Sequence, residues 1–211
     1  MSFFKKALYL IFALGTIQTA NAQNGSLELA TMMPLSGNNS LTGFGKGGSL
    51  GYQTSVTYNV RVRANLDVQF FNGNENSLTS LGSHWDNWPQ ETFYEIKSTV
   101  INMRYVEFSL GYDYFLFKMH PNMYIGPDLF LAKATTNIQN TSSYQNNQDL
   151  AIAFAGGLKI HYGIEKKVNK LTLFGEYTAA LTAHTPYIGT DPESKFIRSG
   201  LNHQLGIGFR F

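Results

Sequence analysis

The chain contains no cysteine. It therefore has neither a disulfide framework nor the lipid-attachment residue of a lipoprotein, and must fold without covalent staples. Charge is scarce too: Asp, Glu, Lys and Arg make up 14% of the residues, and the formal net charge of +2 includes Lys5 and Lys6. Without those two lysines the chain is close to neutral, which leaves no electrostatic case for a nucleic-acid or acidic partner. No apolar run reaches the roughly 20 residues that a spanning helix requires. No set of residues has metal-ligand spacing and no glycine-rich stretch opens a helix, so no cofactor and no metal are implied.

What the chain does hold is 12 Tyr, 16 Phe and 20 Gly against 6 Pro, with many Asn and Thr, a composition suited to strands and polar turns. The last segment sets the pattern. Leu201, Leu205, Ile207, Phe209 and Phe211 share one parity, whereas Gly200, Asn202, Gln204, Gly206, Gly208 and Arg210 occupy the other. An apolar row against a small or polar row is a strand with one face in lipid and the other in a packed or wet interior. At the other end, Met1-Ser2-Phe3-Phe4-Lys5-Lys6 precedes an apolar stretch over 7–14 and then Ala20-Asn21-Ala22. A basic start, a short apolar centre and an A-x-A site predict a secretory signal cleaved after residue 22, with the mature domain over 23–211.

Alternation predicts eight strands. The first lies near 26–33, with Leu27, Leu29, Thr31 and Met33 opposite Glu28; a loop over 34–46 follows. Even positions from Leu50 to Phe70 form one apolar row too long for a single strand, so a reversal is expected at Asn59-Val60-Arg61, giving strands over 48–58 and 62–71. Residues 72–95 read as the longest loop, rich in Gly, Asn and Ser and holding His84, Trp85 and Trp88. An apolar row Ile101, Met103, Tyr105 then jumps parity to Val106, Phe108, Leu110, which predicts a β-bulge near Tyr105-Val106. After a turn at 119–122 the fifth strand spans 123–135, and Thr136 to Asp149 reads as a polar loop. Strands six, seven and eight fall at 150–163, 170–182 and the C-terminus, separated by a turn at 166–169 and a loop over 184–199.

Connections thus alternate between long and short, and an even strand count allows closure, which lipid demands because an open edge leaves backbone groups unpaired. The pattern resembles the small eight-stranded outer-membrane β-barrels, related in architecture to the OmpA transmembrane domain and to OmpX. The stretch from Tyr105 to Phe130, with Tyr124-Ile125-Gly126-Pro127, also resembles the outer-membrane β-barrel domain common in Bacteroidetes. The resemblance implies an all-β, closed, up-and-down antiparallel barrel in the cell outer membrane, monomeric, in contact with outer-membrane lipid and lipopolysaccharide and inserted by the barrel-assembly machinery. Phe209 and Phe211 would supply that machinery's C-terminal recognition signal. It brings no family-specific functional residue.

Three functions fit such a scaffold. A structural or surface-interaction protein is favoured, with His84, Trp85 and Trp88 as candidates to bind a surface glycan or a protein ligand. A lipid A deacylase or acyltransferase would need a His, a nucleophile and an acid together; the histidines are scattered, and no catalytic residue is assigned. A small pore is the third. Against it, Glu28, Asp67, Glu107, Asp113, Asp128 and Glu176 share the inward parity with Arg63, Arg104, Lys159 and Arg210, with Arg61 at the mouth. The two signs nearly balance, and an eight-stranded interior is filled by side chains that would pair with one another.

Overall fold

A computed structural model describes residues 25–35, 42–73, 77–87, 90–116, 122–143, 146–184 and 200–211. The expected signal segment 1–22 and most of the loop over 184–199 lie outside the described residues. Among those described, nine strands form: β1 (Gly25–Leu35), β2 (Thr42–Ser55), β3 (Val60–Gly73), β4 (Ser77–Asn87), β5 (Gln90–Phe115), β6 (Met123–Thr141), β7 (Asn146–Val168), β8 (Leu171–His184) and β9 (Gly200–Arg210). All their pairings are antiparallel. β1 joins β9, and β3 joins β5, so eight strands close into a ring in the order β3-β2-β1-β9-β8-β7-β6-β5. β4 stays outside that ring and pairs with the upper part of β5.

The register fixes the geometry of closure. Followed round the ring, Phe70 is opposite Lys46; the β1–β2 ladder, which ends at Gly47–Met32, leads one step on to Met33, whose direct neighbours run through Leu205, Tyr177, Tyr162, Ile125 and Tyr114 to Val60 on the starting strand. That return is displaced by the ten positions between residues 60 and 70. Such a stagger is what tilts the strands of a closed barrel. Leu129 is 69% exposed and Ile207 71%, whereas the opposite parity is buried. The apolar row therefore faces outward and the polar row fills the barrel, the inverse of a water-soluble sheet.

Local sequence explains the joints. Val168 pairs with Leu171 across a two-residue turn in which Asn169 takes φ 58°, a left-handed conformation that Asn tolerates well. Pro127 sits on the outward row of β6 and has no N–H to give the ladder. Opposite it β5 comes close, and a Cβ on Gly126 would collide with the Tyr112 carbonyl oxygen.

Several expected boundaries move. The β2–β3 reversal occupies residues 56–59, with Ser55 opposite Arg61 and Thr54 opposite Val62; parity is kept as expected, but Tyr58 rather than Val60 is at its centre. The loop expected over 72–95 instead contains β4 and the start of β5, a hairpin standing beyond the barrel rim. Thr136 to Asp149 is likewise not a loop, because β6 runs to Thr141 and β7 begins at Asn146. The register shift in β5 lies between Val100 and Asn102, not at Tyr105-Val106.

Candidate functional site

The lumen is built in decks, each set by the inward parity of neighbouring strands. The lowest, near the short turns and both ends of the described chain, centres on Arg63. Its guanidinium donates to both oxygens of Glu176 at 2.5 and 2.9 Å and to Asp128 at 3.2 Å, and lies 3.5 Å from Asp113. Arg61 donates to Asp113 at 2.7 Å and to Glu165 at 3.0 Å. Arg210 donates to Glu28 at 2.9 Å and to the Tyr124 hydroxyl at 3.0 Å, and pairs with Glu165. Tyr124 in turn donates to Glu176 at 3.1 Å. Its ring lies under both Arg61 and Arg210, each guanidinium 5.2 Å from its centroid.

One deck higher, Lys159 pairs with Glu107 and reaches Asp67 at 3.3 Å, while Ser49 donates to Asp67 at 2.6 Å. Phe130, packed with Ala132 and Ala155, belongs to this deck, its ring centroid 5.4 Å from Lys159 Nζ; above it Phe71 and Met103 pack with Ala134, and Tyr105 touches both groups. Gln69 donates to Gln204 at 3.1 Å beside a cavity of about 50 Å³.

Arg104 is a correction to the expected lumen set. It is exposed on the outer wall with its guanidinium 5.9 Å from the Phe70 centroid. The cause is the displaced bulge: once the shift falls before Met103, that residue and Tyr105 turn inward and Arg104 turns out. Three interior residues lie outside the expected set. Tyr124 and Glu165 complete the lower deck, and His161, fully buried, holds Nε2 2.8 Å from Asp113 and Nδ1 3.2 Å from Asp128. The alternation of the 150–163 strand already turns His161 inward with Lys159, though not as part of the ion network; Glu165 shares that parity, but a strand ending at 163 cuts it off. The expected balance of charge fails with them. Among the described residues seven carboxylates (Glu28, Asp67, Glu107, Asp113, Asp128, Glu165, Glu176) face four permanent cations (Arg61, Arg63, Lys159, Arg210), with His161 between two of the aspartates.

Outside the lumen, His203 stacks on Tyr177 and its Nδ1 lies 2.5 Å from the Tyr177 hydroxyl on the outer wall. Among the described residues no serine hydroxyl is hydrogen-bonded to that pair. His84 and Trp85 lie on β4 beyond the rim; Trp88 lies outside the described residues. Phe211 is exposed on the outer wall, its N–H donating to the Leu27 carbonyl at 3.0 Å and its ring edge-on to Phe209.

No family model matches the chain, and no curated protein matches it. Among solved structures it is similar to Ail, the attachment invasion locus protein of Yersinia pestis, at 12% identity and a TM-score of 0.43, covering 89% of this chain and 97% of that one. A major outer-membrane protein of Thermus thermophilus is similar at 11% identity and 0.43, over 89% and 99% of the two chains. Neisserial surface protein A follows at 11% and 0.37, over 88% and 94%.

The barrel's own surface identifies its solvent. A closed ring satisfies every ladder hydrogen bond internally, and a continuous belt of Leu, Ile, Val, Phe and Tyr is stable only against hydrocarbon. The molecule is a transmembrane β-barrel of the outer-membrane type.

Proposed function

We propose that the chain is a non-catalytic outer-membrane scaffold that displays a recognition surface, with a lumen closed to ions. The observation that carries this is the extension of β4, β5, β6 and β7 beyond the rim. Their outward face changes there from aliphatic to amide and hydroxyl: Asn137 donates to Asn102 at 2.9 Å, and Gln139 to Asn146 at 2.5 Å. Behind that face, Asn140 donates to Asp149 at 2.6 Å and accepts from Ser98 at 2.7 Å. Bonds between side chains hold the projecting strands in one shape, a prerequisite for binding without a large ordering cost. The hairpin carries His84 and Trp85 past the rim, with Trp88 following in sequence. Rings and amides of this kind suit sugar hydroxyls and ring faces.

Replacing Trp85 and Trp88 together by Ala is expected to leave heat-modifiable folding unchanged while lowering binding of intact cells to glycan-coated and matrix-coated surfaces by roughly tenfold or more, the usual size of a lost aromatic anchor. Undiminished binding by the double variant would remove the recognition reading. Assembly gives a second test. Deleting Phe211 removes an outer-wall aromatic and a hydrogen bond to β1 at the seam, so it should lower the yield of folded protein in the outer membrane while export and signal cleavage proceed. Normal yield would show that the C-terminal aromatic is dispensable for insertion.

A further inference from the structure

On four adjacent strands the outward row climbs from the short turns as an unbroken sequence of apolar or small residues and then changes character at one level. On β2 it runs Tyr52, Leu50, Gly48 and stops at Lys46; on β5 it runs Phe108, Val106 and stops at Arg104. On β6 it runs Leu129, Leu131 and stops at Lys133. On β3, between β2 and β5, the same level is filled by Phe70. Lys46 is directly opposite Phe70, Phe70 directly opposite Arg104, and Lys133 opposite Val106, one outward step from Arg104. Lys46 and Arg104 are exposed and Lys133 is half-buried.

No carboxylate faces outward on these strands between 46 and 54, 60 and 72, 102 and 114, or 125 and 139, since Asp67, Glu107, Asp113 and Asp128 all point inward. Among the described residues, the outward rows of β1, β7, β8 and β9 carry no lysine or arginine at this end. A cation on a barrel's outer wall is costly at mid-membrane and tolerated at the interface, so three at one level mark the headgroup layer.

Directly below lies a second feature. An exterior groove of about 490 Å³ is lined by Leu29, Gly48, Leu50, Leu66, Val68 and Ile207. It exists because Gly48 leaves the outward row of β2 without a side chain; the next outward positions after its lining pair Gly48 and Val68 are Lys46 and Phe70. A cationic rim over an apolar furrow is complementary to a molecule with a phosphate at one end and hydrocarbon at the other.

We infer that Lys46, Arg104 and Lys133, with Phe70 between them, bind the phosphorylated headgroup of an outer-leaflet lipid whose acyl chain lies in the Gly48 groove. This rests on the barrel's placement in the outer membrane. Arg and Lys at this spacing supply several charge-assisted hydrogen bonds to phosphate oxygens, and the Phe70 ring supports the Arg104 guanidinium from below.

The test uses the full-length folded protein in detergent micelles, titrated with diphosphorylated lipid A or its dephosphorylated counterpart and read by native mass spectrometry. The wild type should retain the phosphorylated form preferentially. Lys46→Gln/Arg104→Gln/Lys133→Gln should abolish the preference, weakening retention of the phosphorylated form by roughly a hundredfold for three lost cations. Gly48→Leu should weaken both forms alike. It has room to fold, because the nearest atom to a Cβ there is the Ala30 carbonyl oxygen at 3.6 Å. Lys166→Gln/Lys167→Gln/Lys170→Gln, at the opposite end, should keep the wild-type preference.

A preference that survives the first triple substitution, or falls equally in the second, overturns the site. Displacement of the lipid by millimolar inorganic phosphate overturns it in favour of a free-anion site. Failure of the underlying placement is seen separately, as a wild type that lacks heat modifiability or is missing from the outer-membrane fraction.

Discussion

Arg63→Ala should destabilise the barrel by about 3–5 kcal/mol, the loss typical when one member of a buried ionic cluster is removed and its partners are stranded. Glu176, Asp128 and Asp113 all lie within 3.5 Å of its guanidinium, and none is exposed. Tyr124 shares Glu176, and His161 shares Asp113 and Asp128, but neither carries a permanent positive charge. The measurement is the urea midpoint for unfolding from lipid vesicles, with Lys166→Ala on the exposed β7 end as a control expected to change stability by no more than about 0.5 kcal/mol. Adding Glu176→Gln to an Arg63→Met background should recover part of the loss, because it removes one of the stranded charges. A midpoint for Arg63→Ala indistinguishable from wild type would mean that the deck is wet enough for solvent to replace the guanidinium.

The arrangement that makes Arg63 sensitive is visible in the parity of the strands wherever one face meets hydrocarbon. Even positions from Leu50 to Phe70 and odd positions from Leu201 to Phe211 read directly as the outer wall, and Glu28, Arg63, Asp67, Glu107 and Lys159 read as the inner one. The same rule misleads outside the lipid belt. Met103 and Tyr105 are apolar, and an apolar residue at belt height belongs outside; here the upper lumen is itself apolar, with Phe71 and Ala134 packed against Met103. Assigning Met103 outward forces a bulge at the wrong place and carries Arg104 inward. Its true position at the headgroup level is where a cation is tolerated on the outer wall.

Beyond the lipid belt the outward face is wet and the inward face keeps only a few buried residues such as Val100, Thr136 and Ile138, so the apolar alternation fades and composition takes over. Thr136 to Asp149, crowded with Asn and Gln, therefore resembles a loop although Gln139 pairs with Gln148 and Asn140 with Asn147 in an ordinary ladder. The β4–β5 hairpin is hidden in the same way. Backbone hydrogen bonds and amide pairs hold these extensions, and neither leaves a hydrophobic period in the sequence.

In planar bilayers the purified protein should give no stable conductance steps. Ions entering from the outer rim meet the apolar Phe71 and Met103, which help line the small cavity beside Gln69 and Gln204, whose 50 Å³ holds only a few waters. Beneath it Lys159 bridges Glu107 and Asp67 across the lumen. Below that, Arg61, Arg63 and Arg210 tie β3 and β9 to carboxylates on β1, β5, β6, β7 and β8, with the Tyr124 ring filling the space between two of them. A permeant ion would have to break several of these pairs at once, each break leaving a buried charge uncompensated. Seven carboxylates against four permanent cations also fix what a failure would look like. A lumen that does open should pass cations over anions, because fixed negative charge concentrates counter-ions of the opposite sign. A steady, cation-selective unit conductance from wild-type protein would therefore overturn the closed lumen, and its loss on neutralising Glu107 and Asp67 would place the conducting path through the Lys159 deck.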